Sequence, residues 1–137
     1  MAMKKSLLAF TPVAALVAAT LLPAASGGAQ TAPPALSPSL ANGARLYQAK
    51  CGSCHSIATN KIGPAHKGVF GRKAGMIAGY NYSPALRASN VTWNAVTLDQ
   101  WLQGPQKMVK GTRMFMSVPN PAERAAIIGY LRSEAAR

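Results

Sequence analysis

The sequence predicts a small all-α domain in which short helices are separated by long loops. Two observations predict this class. Helix-capping residues precede most of the candidate helices, and no stretch alternates apolar and polar residues as a half-buried strand does. The 137 residues include 12 glycines and 10 prolines, several of which mark turns between the candidate helices. Small helices joined by long loops predict a protein shell that encloses a group other than protein.

Four short helices are expected in the second part of the chain. They run from Leu40 to about Cys51, from Ser83-Pro84 to Ala88, from Thr97 to Gly104-Pro105, and from Asn120 to near Ala135. Thr97 and Gln100 have the spacing of a capping box. Asn120-Pro121 gives a cap followed by proline at the first helical position. The last helix is expected to bury four side chains, Ile127, Ile128, Tyr130 and Leu131.

The first part of the chain is expected to be an export signal, residues 1–29. A basic start with Lys4 and Lys5 precedes an apolar run from Leu7 to Leu22, and small residues follow, which is typical of a secretory signal peptide. The alternative is an uncleaved membrane anchor, although the run is shorter than the ~20 residues of a usual span. Residues 30–38 are expected to be a disordered leader, and residues 39–137 one domain. We therefore expect a periplasmic protein with no stable membrane insertion after cleavage.

The segment Cys51-Gly52-Ser53-Cys54-His55 carries the chemistry. C-x-x-C-H is the signature of covalent haem attachment, in which two thiols form thioethers with one porphyrin and the histidine can reach the iron. A redox disulfide would not require the histidine. A structural zinc site uses about four nitrogen or sulfur ligands, and the chain has only two cysteines and two histidines in all. We therefore expect one covalent haem c.

Further motifs precede and follow this segment. They are Gly43 and Tyr47, Gly63-Pro64, the run from Gly68 to Lys73, the run from Gly79 to Ser83, Trp93, Pro105, the run from Gly111 to Met114, and Glu123-Arg124 through Tyr130-Leu131. In this order they resemble the class I cytochromes c, both the mitochondrial type and its soluble bacterial relatives. The resemblance covers nearly the whole expected domain and implies the class I cytochrome c fold.

The resemblance also implies the residues that hold the haem. Cys51 and Cys54 would bind it covalently, and His55 and Met114 would be the two iron ligands. The Pro64 carbonyl would accept a hydrogen bond from the second ring nitrogen of His55 and so orient the ring.

Other residues match positions of the family with supporting roles. Arg72, Tyr82 and Trp93 match positions that hydrogen-bond the haem propionates, although Trp93 alone could also be an ordinary core residue. Gly43 and Tyr130 would mark the crossing of the first and last helices, where a missing Cβ permits close contact.

The chain departs from the family pattern at several positions. Lys110 stands where proline usually precedes Gly-Thr, Met108 replaces an aromatic residue, and Trp101 replaces a tyrosine. His66 replaces an apolar residue and is expected on the histidine side of the haem. Met108 and Met116 are rivals of Met114 as the second iron ligand.

The charge of the chain points to its partners. Fifteen Lys and Arg against three Asp and Glu give a net charge of +12. Nucleic acid is not expected, because the chain carries no nucleic-acid-binding motif and is exported. A basic exported haem protein suits an acidic redox partner, such as a quinol–cytochrome c reductase, an oxidase, a photosynthetic reaction centre or a dehydrogenase. The basic residues expected around the haem edge are Lys50, Lys61, Lys107 and Arg113.

These features predict a monomeric one-electron carrier with His/Met-ligated haem iron, and not an enzyme. One alternative is a dedicated electron-accepting subunit of a periplasmic dehydrogenase. A haem peroxidase or a gas sensor is less well matched, because both need an open iron and tend to need a distal acid or base. The carboxylates in the chain are Asp99, Glu123 and Glu134 only.

Overall fold

The computed structural model describes residues 37–133 and Ala136. The described residues form five helices: α1 Pro38–Lys50, α2 Pro84–Ala88, α3 Ala95–Gln103, α4 Pro105–Met108 and α5 Pro121–Arg132. Within the same residues, an isolated bridge between Lys73 and Thr92 is the one β-type pairing. The all-α prediction is therefore confirmed. None of the helices in this part of the chain has the length and apolar character needed to cross a membrane. The predicted signal peptide, residues 1–29, lies outside the described residues, as does the predicted leader up to residue 36.

Local caps explain where the helices begin. Helix α1 begins at Pro38, two residues before the predicted start, because the Ser37 hydroxyl accepts a hydrogen bond from the backbone of Leu40. Proline is favoured at a first helical position, where its missing N–H would have no partner in the helix. Proline also begins α2 and α5, after the caps Ser83 and Asn120.

The cap of α3 differs from the prediction. Asn94 is the capping residue, and its side-chain oxygen accepts the backbone N–H of Thr97 at 3.0 Å. In return, the Thr97 hydroxyl accepts the backbone N–H of Asn94 at 2.8 Å. The capping box is thus real, but Thr97 is its third helical residue and the predicted pairing with Gln100 is wrong.

Two helix ends also differ from the prediction. Gly104-Pro105 was expected only to end a helix, yet Pro105 is the first residue of the short helix α4. Proline at this position ends one helix and begins the next, since its fixed φ suits a first turn. Helix α5 ends at Arg132, before the predicted end near Ala135, and the backbone N–H of Ser133 donates to the Tyr130 carbonyl at 3.0 Å.

The first and last helices cross at Gly43. A Cβ atom at Gly43 would lie 2.3 Å from the backbone oxygen of Ala126 and 3.0 Å from Cβ of Tyr130, so only glycine permits this approach. The predicted crossing is confirmed. Of the four side chains expected to be buried on α5, Ile127, Ile128 and Leu131 are buried and Tyr130 is half-buried. Beside the crossing, Lys50 on α1 forms an ion pair with Glu123 on α5 at 3.1 Å.

A buried arginine attaches α5 to its neighbours. Arg124 donates from Nε to Asp99 on α3 at 2.6 Å, and from Nη1 to the carbonyls of Val118 and Pro119 at 3.0 and 2.7 Å. Val118 is itself almost fully buried and donates its N–H to the Leu102 carbonyl at 2.7 Å. The segment after Met114 is therefore held between α3 and α5.

Candidate functional site

The helices and loops surround one large cavity of about 490 Å³. This volume lies within the range of sites that bind small molecules and cofactors. All the residues predicted to form the site line it, namely Cys51, Cys54, His55, Pro64, Arg72, Tyr82, Trp93 and Met114. Most of the remaining lining residues are apolar. Residues scattered over more than sixty positions of sequence are thus brought to one site.

The His55 ring is fixed in one orientation. Its Nδ1 lies 2.8 Å from the Pro64 carbonyl oxygen. A carbonyl can only accept, so Nδ1 carries the proton and the Nε2 lone pair is free for a metal. Burial lowers the pKa of His55, and the Pro64 hydrogen bond opposes this in part. The ring packs so closely on Gly63 that a Cβ there would lie 2.1 Å from Cε1 of His55.

A second imidazole packs against the first. The rings of His66 and His55 are stacked, with centroids 4.2 Å apart and planes 19° from parallel. The His66 pKa is lowered to about 3, first by burial and then by the neighbouring His55 and Arg72. His66 is therefore neutral at pH 7, and its Nδ1 is buried without a hydrogen-bond partner. The expectation that it lies beside His55 is confirmed.

Met114 lies on the loop that follows α4. Its sulfur accepts a hydrogen bond from Nε1 of Trp101 at 3.2 Å, and its side chain packs against the hydrophobic core. The rival Met116 also lines the cavity but is 40% exposed. The rival Met108 packs against the core and lines a separate shallow groove beside Gln103. Of the three methionines, Met114 is the one whose sulfur is held in place inside the cavity.

Three polar and aromatic residues complete the predicted set. Arg72 donates to the backbone carbonyls of Lys67 and Ala65 at 2.6 and 3.2 Å. Tyr82 and Trp93 are buried, and the Trp93 ring meets the Trp101 ring edge-on, with centroids 5.1 Å apart. Burial raises the pKa of Tyr82, so its hydroxyl remains a proton donor at neutral pH.

The sequence gives no signal for two amide side chains that bond to the loops around the cavity. Asn60 accepts the backbone N–H of Ala65 at 2.8 Å and so shapes the loop that carries Pro64. Gln106 on α4 contacts the loop that carries Met114. A single amide side chain has no periodicity and no motif spacing, and only the folded structure shows its hydrogen-bond partners.

The donor set fits a covalently attached haem. Cys51 and Cys54 are free thiols, His55 presents an unprotonated Nε2, and the thioether of Met114 lines the same apolar cavity. Imidazole and thioether are intermediate and soft ligands that suit haem iron, and the two thiols can form thioether bonds with the vinyl groups of the porphyrin. The fold and the site therefore define an all-α protein that attaches haem covalently.

Comparison with known proteins gives the family. The sequence profile described as Cytochrome c matches residues 40–135, and the chain belongs to the cytochrome c family. As in its relatives, one haem c is bound covalently, and Cys51 and Cys54 fit the C-x-x-C-H attachment motif. Members of this family are electron carriers, and this chain is one of them.

The relatives include proteins described as cytochrome c, cytochrome c2 and cytochrome cH. The chain is 40% identical over 96 residues to cytochrome c of Cochliobolus lunatus, covering 67% of this chain and 89% of that one. It is 42% identical over 86 residues to cytochrome c2 iso-2 of Magnetospirillum fulvum, covering 61% and 90%. The structure of cytochrome cH from Methylobacterium extorquens superposes with a TM-score of 0.65 at 42% identity, covering 68% and 96%.

Proposed function

We propose that this protein is a periplasmic one-electron carrier whose haem iron is ligated by His55 and Met114. The main support for the proposal is that hydrogen bonds already orient both expected iron ligands. Nε2 of His55 is left free because Nδ1 donates to Pro64, and the Met114 sulfur is held by Trp101. His55 and Met114 would both hold the iron, and a substrate would then have no ligand position on it. The bound haem supplies the one-electron couple.

The surrounding residues suit this chemistry. A thioether ligand favours ferrous iron, and His/Met ligation raises the potential. Buried side chains such as Trp93, Leu98 and Ile127 line the cavity and exclude water from it. A packed wall also limits rearrangement when the charge of the iron changes.

The proposed partner is an acidic redox protein. Of the four basic residues expected around the haem edge, Lys50 and Arg113 line the cavity. Each is also tied to the protein: Lys50 pairs with Glu123, and Arg113 donates to the Asn81 carbonyl at 2.9 Å. Lys61 donates to the Gly52 carbonyl at 2.6 Å. Such tethering holds positive charge in fixed positions beside the site.

The location and the processing belong to the same proposal. Residues 1–29 would be removed on export, residues 30–38 would link the cleavage site to the domain, and residues 39–137 would form the cytochrome domain. The mass of the protein recovered from the periplasmic fraction tests this directly. A protein that retains residues 1–29 and stays with the membrane fraction would contradict it.

The absorption spectrum of the ferric holoprotein tests the ligation. We expect a low-spin, six-coordinate spectrum with the red charge-transfer band of methionine bound to ferric iron. Met114→Ala should abolish this band, whereas the matched variant Met116→Ala should retain it. A high-spin spectrum of the unmutated protein would indicate the open iron of a peroxidase or sensor. Stable co-purification with a dehydrogenase would indicate a dedicated subunit.

A further inference from the structure

The loop that carries Met114 has few bonds of its own. It leaves α4 after Met108, and Gly111 turns it with φ of +86°. The backbone N–H of Thr112 donates to the Val109 carbonyl at 3.2 Å. The exposed residue at the tip, Lys110, lacks the ring that would restrict the backbone as proline does.

The side chain of Gln106 spans this loop. Its amide oxygen accepts the backbone N–H of Gly111 at 3.2 Å, and its amide nitrogen donates to the Thr112 carbonyl. Both ends of one amide are therefore bonded to two consecutive residues of the loop. The backbone at Gln106 is held in place by packing, because its neighbour Pro105 is fully buried at the start of α4.

We propose that Gln106 is a positioning residue that holds the Met114 loop closed over the site. The inference rests on the proposed ligation by Met114. Only an amide supplies a donor and an acceptor at the same end of a side chain of this length. Both bonds must break when the loop lifts Met114 away, so they favour the closed loop. The group is uncharged, and its effect on the loop does not titrate.

A second tether shows that the loop is held at both ends. Arg113, next to Met114, donates to the Asn81 carbonyl at 2.9 Å, and Asn81 in turn accepts from Arg87 at 2.9 Å. These bonds fix the side of the loop near Met114, whereas Gln106 fixes the tip. Loss of Gln106 should therefore free the tip without unfolding the domain.

The experiment measures how fast imidazole replaces methionine in the ferric holoprotein. At low imidazole, the second-order rate constant is proportional to the fraction of open loop, and loss of the red charge-transfer band follows it. Gln106→Met keeps the length of the side chain and removes both bonds, so the rate should rise about 5–30-fold. The matched control is Gln103→Met, an exposed glutamine on α3 whose amide bonds to Asp99. Its rate should stay within about twofold of the unmutated protein.

The outcomes separate this inference from the proposed ligation. If the unmutated protein has no charge-transfer band, the ligation and the role of Gln106 both fail. If the band is present and Gln106→Met binds imidazole at the unmutated rate, only the role of Gln106 fails. If Gln106→Met does not fold, Gln106→Glu decides, because a carboxylate can accept from Gly111 but repels the Thr112 carbonyl. A raised rate in this variant supports the role, and an unchanged rate overturns it.

Discussion

The indole N–H of Trp101 points at the sulfur of Met114, with 3.2 Å between Nε1 and Sδ. Trp101 is buried on α3, whereas Met114 lies on the loop after α4. The bond therefore ties a loop residue to a rigid helix. An indole can donate but not accept, so the positive end of its N–H dipole faces the sulfur and the site behind it.

This bond predicts the effect of Trp101→Phe on the reduction potential. A positive dipole beside the site favours the less positive ferrous state, so its removal should lower the potential. A hydrogen bond contributes about 0.5–1.5 kcal/mol net. For one electron, a tenfold change in the equilibrium constant is about 59 mV, which gives a fall of about 20–60 mV. A spectroelectrochemical titration measures it.

Packing damage at Trp101 can be told apart from loss of the bond. Without the N–H donor, the sulfur is a stronger donor to ferric iron, so the Trp101→Phe protein should bind imidazole more weakly. If the smaller side chain instead loosened the packing of the cavity wall, imidazole should bind more tightly than to the unmutated protein. A raised potential, or tighter imidazole binding, would show that the hydrogen bond is not the dominant effect.

The helix crossing predicts opposite effects for two glycine substitutions. Gly43→Ala places a Cβ 2.3 Å from the Ala126 backbone oxygen, and overpacking of this kind destabilises by about 1–3 kcal/mol. On α5, a Cβ at Gly129 meets nothing within 4 Å. Gly129→Ala should therefore stabilise the protein by about 0.5–1 kcal/mol through the better helix propensity of alanine. Denaturant unfolding of the holoprotein measures both, and a loss of stability in both variants would contradict the crossing as the cause.

Much of the site could be predicted because its motifs are local or match the pattern of a known family. Cys51, Cys54 and His55 lie within five positions. Pro64 and Met114, which the resemblance implied, line the same cavity. Caps such as Ser83 and Asn120 act within one turn of their own helix. Such local interactions can be predicted from the sequence without knowledge of the tertiary structure.

The remaining features depend on contacts that have no sequence pattern. Asn94 and Thr97 can both cap a helix, and only their reciprocal bonds decide which one does. Proline at position 105 is equally compatible with the end of one helix and the start of another, so the sequence alone does not predict α4. The two bonds of Gln106 to the loop depend on how far the loop turns back over α4.

The ion pair between Lys50 and Glu123 predicts how charge controls electron transfer. Both side chains are about one-third exposed, and an exposed pair contributes only ~0–1 kcal/mol to stability. Glu123→Gln should therefore change stability little. It removes a negative charge beside a basic residue of the cavity rim, so oxidation of the ferrous protein by the anion hexacyanoferrate(III) should become faster at low ionic strength.

A double-mutant cycle of Lys50 and Glu123 supplies the control for this prediction. Lys50→Gln should slow the reaction, and the double variant should react at nearly the unmutated rate, because its net charge is unchanged. All the differences should shrink at high salt, where exposed charges are screened. Rates that do not depend on ionic strength would show that charge near Lys50 does not guide the encounter.

The contact between Arg124 and Asp99 predicts a pH-dependent stability. The hydrogen bond from Arg124 holds the pKa of Asp99 below its ordinary value, and a further bond from Gln103 acts in the same direction. A lowered carboxyl pKa stabilises the fold above the pKa of the unfolded chain, about 3.9. This stabilisation is lost as the pH falls through the lower pKa of the folded state.

Asp99→Asn should therefore destabilise the protein most near neutral pH. The substitution leaves the buried guanidinium of Arg124 without its carboxylate, although the Val118 and Pro119 carbonyls remain. Because the Asp99 side chain is more than one-third exposed, solvent screens the pair, and the free energy of unfolding should fall by about 0.5–1.5 kcal/mol. Below the ordinary aspartate pKa of about 3.9, the difference in stability should begin to shrink. It should disappear only once the pH has passed the lower pKa of Asp99 in the folded protein. Gln103→Ala is the control and should lose less at neutral pH. Denaturant unfolding between pH 3 and 7 measures the difference, and a difference that stays constant across this range would refute the ionic contribution of Asp99.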